Sequence, residues 1–72
     1  MRREHMINKL RELGYRHKRD AWRMQFWRRP SPLHEAAVPN KDELDEETVR
    51  QILRQCGCTP QEIQDFIRST RT

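Results

Sequence analysis

The sequence predicts an α+β domain in the order α-β-β-β-α-α, a small three-stranded antiparallel sheet with helices on one side. Three observations predict it. Apolar residues recur at helical spacing towards both ends of the chain, over Met6, Ile7, Leu10 and Leu13 and again over Val49, Ile52, Leu53 and Cys56. Between these stretches, residues 22–28 alternate with the two-residue period of a half-buried strand. Glycine and proline punctuate the transitions.

Taken in order, the first helix is expected over residues 4–13, with Gly14 where a helix stops in a left-handed residue. Residues 15–19 and 22–28 read as strands joined by a tight turn near Asp20-Ala21. In the second strand Trp22, Met24 and Phe26 are expected to face the helices and supply much of the core. That places Arg23, Gln25 and Trp27 on the open face, with Arg28 and Arg29 at its end. Either Arg16 and Lys18 or His17 and Arg19 join them from the first strand. Residues 28–32 read as a wide loop, because prolines cannot donate to a ladder, and a third strand follows over 33–38, ending at Pro39.

The second half is better punctuated. Asp45 is expected to cap a helix whose first turn carries Glu46 and Glu47, where the dipole favours negative charge, and Gly57 closes that helix. Thr59, Pro60 and Glu62 form a capping box with proline at the first helical position. Ile63, Phe66 and Ile67 give the final helix its apolar face.

At 72 residues the chain is read as one domain over 1–72. A chain of this size buries only about 60% of its unfolded surface, so each apolar residue counts. No apolar run is long enough to span a membrane, and MRREHMINKL lacks the apolar stretch of a secretory signal. Cys56 and Cys58 are too few and too close for a disulfide scaffold, so a reduced, cytoplasmic chain is expected. Without a second ligand pair they do not form a zinc motif either, and both are read as small core residues. The acidic cluster from Asp42 to Glu47 is explained by the helix N-terminus. No phosphate-cradling glycine loop is present, and neither metal nor cofactor is expected.

The charge is divided unequally. Residues 1–29 hold ten Lys/Arg against three acids, and residues 30–72 hold five against eight. A basic half of this density suits phosphate, a membrane surface or an acidic protein partner. An open sheet face bearing cations and an aromatic ring suits RNA, because cations neutralise phosphates and a ring can stack on a base. The candidate RNA contacts are Arg16, Lys18, Arg23, Trp27, Arg28, Arg29 and Lys41.

Several fixed offsets also match a known pattern: Lys9-Leu10 with Gly14-Tyr15, then Val38-Pro39, Glu43-Leu44, and Thr48, Arg50, Ile52, Leu53, Arg54 and Gly57. Over roughly residues 5–66 the chain resembles the HicA toxins of bacterial toxin–antitoxin systems. The resemblance implies a fold like the double-stranded-RNA-binding domain, an mRNA-cleaving (mRNA interferase) activity and an antitoxin-like partner. It also exposes a departure. The family carries a Gly-Ser-His-like motif at the start of the second strand, whose histidine is taken as catalytic, and the matching positions here are Ala21, Trp22 and Arg23. Arginine binds phosphate but does not exchange a proton near neutral pH. Three readings follow: an RNA-binding domain that does not cut, a protein-interaction module on the same fold, or a ribonuclease in which His17 or His34 replaces the missing base.

Overall fold

The computed structural model describes residues 1–70. Its elements are α1 (Arg3–Glu12), β1 (Arg16–Ala21), β2 (Met24–Pro30), β3 (Leu33–Pro39), α2 (Glu46–Gln55) and α3 (Pro60–Thr70). The three strands form one antiparallel sheet in the order β1-β2-β3. This is the α-β-β-β-α layout with an additional final helix that the sequence predicts.

Both internal helix ends follow from glycine. Gly14 and Gly57 take φ of +91° and +90°, a region that costs an L side chain about 1–2 kcal/mol. In that conformation the next residue folds back: Tyr15 N–H donates to the Leu10 carbonyl at 2.9 Å, and Cys58 N–H to the Leu53 carbonyl at 3.0 Å. The start of α3 is closed reciprocally. Thr59 N–H donates to Glu62 Oε1 at 2.9 Å while Glu62 N–H donates to Thr59 Oγ1 at 3.1 Å. Asp45 occupies the N-cap position of α2, but its carboxylate makes no capping bond, so the expected cap is positional only.

Met6, Ile7 and Leu10 of α1, Val49, Ile52 and Leu53 of α2, and Ile63 and Ile67 of α3 are buried against one face of the sheet. That face is marked by Trp27, Ala36 and Val38, at 3%, 1% and 0% exposure. Since Trp27 pairs with Ala36 and Gln25 with Val38, Gln25 points the same way. The expected assignment of β2 is therefore reversed. Trp27 is core, Met24 and Phe26 are half-buried on the outer face, and Trp22 is 82% exposed.

Two physical causes account for the reversal. Trp27 lies opposite Ala36, whose small side chain leaves room for the indole, and Trp27 Nε1–H donates to Gln25 Oε1 at 3.3 Å. The chain also turns later than expected. Ala21 pairs with Met24, so Trp22 and Arg23 form the turn, and Arg23 rather than a glycine takes φ of +68°. The expected wide loop after β2 is likewise absent: Pro30 pairs with Leu33 across a two-residue turn at Ser31-Pro32, with a cis bond between them. β1 stops earlier, at Arg16 opposite Arg28, so this end of the sheet is two-stranded.

Candidate nucleic-acid interface

The outer sheet face is organised by an irregularity in β1. Arg16 pairs with Arg28 and His17 with Trp27, but Arg19, not Lys18, pairs with Phe26. Lys18 is thus the extra residue of a β-bulge. In a regular strand Arg16 and Lys18 would share one face and Arg19 the other. The bulge resets the alternation, so Arg16, Lys18 and Arg19 all project outwards, where Arg28 joins them from β2.

Two side chains occupy the middle of this array. Arg19 lies over the Phe26 ring at 4.0 Å from its centroid, an arrangement worth about 0.5–1 kcal/mol where exposed. Glu35 of β3 accepts from Lys18 Nζ at 2.9 Å and lies 3.9 Å from Arg19. The Lys18 ammonium holds the Glu35 carboxyl below its ordinary range. Four cations against one carboxylate leave the face strongly positive, and the ion pairs are exposed enough to be exchanged for phosphate at little cost.

At one end of the sheet stands the β1–β2 turn. The Arg23 guanidinium lies 4.2 Å from the Trp22 ring centroid, so one indole face is covered and the other is open to solvent. The Arg23 carbonyl accepts from Asn40 N–H at 2.9 Å, which ties the turn to the end of β3. Lys41, exposed, follows at that same end.

A second feature lies on the helix side of β1. The bulge that turns Arg19 outwards turns Asp20 inwards, onto the side of His17. His17 Nε2–H donates to Asp20 Oδ1 at 3.0 Å, and the bond holds the Asp20 carboxyl below its ordinary range. The His17 ring stands edge-on to Trp27 at 5.6 Å, and Arg11 lies over Trp27 at 5.4 Å. A groove of about 430 Å³ is lined here by Arg11, Gly14, Tyr15, Arg16, His17 and Trp27.

The candidate residues separate accordingly. Arg16, Lys18 and Arg28 share the outer face, with Arg23 and Lys41 at its end. Trp27 is withdrawn into the core and has no face to offer a base. Arg29 points to the helix side, where it donates to the carbonyls of Pro32 at 2.9 Å and Cys56 at 3.2 Å and lies over Tyr15. Its guanidinium is an internal brace. His34 is braced too, its Nδ1 2.6 Å from the hydroxyl of Tyr15, which is 1% exposed and pushed above the ordinary phenol range by burial. From the sequence, Arg19 is expected on this face only as an alternative to Arg16 and Lys18, Trp22 is expected in the core, and Asp20 and Arg11 carry no functional expectation. Their placement depends on the bulge and the turn, which leave no mark in hydrophobic periodicity.

The cysteines behave as core. Cys56 is buried, Cys58 packs against the core from its edge, and burial raises both thiols. Among the described residues no group of three metal-ligating side chains converges, and no helix is long and apolar enough to cross a membrane. No protein-family model matches the chain, and no curated protein matches it.

Proposed function

We propose that this chain is a small RNA-binding domain on a HicA-like fold, and that the outer face of its sheet is the binding surface. The observation that carries the proposal is the gathering of Arg16, Lys18, Arg19 and Arg28 on one solvent-facing surface around Phe26. Cations spaced along a strand follow a phosphate backbone without reading sequence, and each phosphate neutralised releases counterions. Among the described residues the one acid paired with the array is Glu35, which distinguishes it from an even mixture of signs.

Titration of labelled structured RNA at several salt concentrations tests the proposal. The logarithm of affinity should fall linearly with that of salt, with a slope that becomes shallower by about one in Arg16→Ala and again in Arg28→Ala. Binding whose salt dependence is unchanged by either substitution would overturn the assignment of this face.

A second reading is favoured by the His17–Asp20 bond. A carboxylate accepts only, so Nε2 carries a proton, and whenever the ring is neutral it is Nδ1 that holds the lone pair. An imidazole oriented in this way, beside Arg11 and Arg16, could take a proton from a 2′-hydroxyl where Arg23 cannot. Denaturing gels of the same RNA check it: a product abolished by His17→Ala, with binding retained, makes the domain a ribonuclease. His34→Ala should leave such a product in place, because His34 is committed to Tyr15.

A further inference from the structure

The β1–β2 turn departs from ordinary turn chemistry in two ways. A two-residue hairpin turn with a positive φ normally takes glycine, asparagine or aspartate at that position, yet Arg23 adopts φ of +68°. Beside it stands the largest apolar side chain available, Trp22, at 82% exposure, although a core this small has use for every aromatic ring. Local rules of this kind are broken chiefly at functional or strained positions.

The geometry limits what the position can hold. Phe26, the other aromatic of the outer surface, is already covered by Arg19. Trp22 has Arg23 on one face and solvent on the other, so a planar group settling on the open face would complete a guanidinium–indole–ring stack. The bases of a regular duplex are stacked on both sides, and reaching one would cost unstacking. An unpaired base has a free face. The cations that would track its backbone begin immediately beside the turn, at Arg19 and Lys18, and run to Arg16. With Lys18 as the extra residue of the bulge, Arg16 to Trp22 spans about five regular steps, about 17 Å at about 3.3 Å each, the length of about five stacked nucleotides.

We infer that Trp22 is a base-stacking anchor and that the RNA taken by this domain carries an unpaired stretch of about five nucleotides, its backbone on the outer sheet face and one base on the open face of the indole. This inference rests on the RNA-binding reading and specifies its substrate.

The chain contains two tryptophans, and Trp27 is buried, so a change of intrinsic emission on binding reports Trp22. The experiment compares a labelled purine-rich single strand with the duplex it forms with its complement, by anisotropy and by tryptophan emission. The single strand should quench emission, and Trp22→Phe should abolish the quenching while keeping most of the affinity. Trp22→Ala should weaken single-strand binding by about 5- to 150-fold, the range found for a base–aromatic stack, and duplex binding by less than about twofold. Salt-dependent binding of both RNAs with equal losses in Trp22→Ala would overturn the anchor and leave the basic face standing. No salt-dependent binding of either RNA would remove the reading beneath it as well. An emission shift with anionic lipid vesicles and none with RNA would also overturn the inference, assigning the turn to a membrane surface.

Discussion

Replacement of Trp27 by alanine tests the fold and the choice of binding surface together. Trp27 is 3% exposed, so its removal forfeits the transfer energy of a large aromatic side chain and leaves a cavity opposite Ala36. Substitutions of this kind cost about 3–5 kcal/mol. Loss of the Arg11 contact over the ring adds about 0.5–1 kcal/mol. Gln25 loses the indole N–H but keeps the Arg3 guanidinium as donor, so no further cost of an orphaned acceptor is added. A chain of 72 residues has a total stability of about 4–11 kcal/mol. Trp27→Ala should therefore lower the melting temperature by at least about 15 °C or leave the chain unfolded at room temperature. Trp22→Ala should change stability by less than about 0.5 kcal/mol. The assay is urea and thermal unfolding followed by far-ultraviolet circular dichroism, which does not depend on the tryptophan removed. A Trp27→Ala variant within about 1 kcal/mol of the parent would refute the placement of the ring in the core, and with it the assignment of the outer face.

Two further outcomes are expected. Gly57→Ala should cost about 1–2 kcal/mol with an unchanged denaturant slope, because a Cβ there meets no atom within 4 Å and only the backbone at φ +90° resists it; an unaltered urea midpoint would contradict the left-handed helix end. Asp20, Glu35 and Glu62 all have carboxyls held below their ordinary values, by His17, by Lys18 and by the Thr59 backbone amide. Folded values lower than unfolded ones mean that their stabilisation is present above the unfolded values of 3.8 and 4.5 and is lost as pH falls through the folded ones. Melting temperature should thus decline below about pH 4, and the triple variant to Asn, Gln and Gln should show a smaller decline. Equal acid sensitivity in parent and variant would count against these contacts.

The helical half of the architecture was legible because its signals are local. Gly14 and Gly57 stop helices through their own backbone freedom, and Thr59 and Glu62 exchange bonds three residues apart. The sheet faces were less legible because both alternating sets of β2 contain aromatic residues, and periodicity alone does not choose between Phe26 and Trp27. The choice is made across the ladder, by Ala36 making room and Gln25 accepting the indole proton. Of the proposed interface, the cations on both sides of the turn could be read from charge alone. Their common direction could not, nor could the meeting of His17 with Asp20, since both follow from one irregular pairing between β1 and β2.

That irregular pairing separates the charge of the surface from its shape. If Lys18 were deleted, residues 16, 17, 19 and 20 would already stand in regular alternation opposite 28, 27, 26 and 25. The strand would close up with Arg16 and Arg19 still outward and His17 still beside Asp20. Lys18 is in this sense a detachable charge, carried by chain length and not by the frame of the sheet. On the proposed RNA-binding reading, deletion would remove one phosphate's share of the salt slope, whereas insertion of a residue elsewhere in β1 would turn cations inward and dismantle the surface.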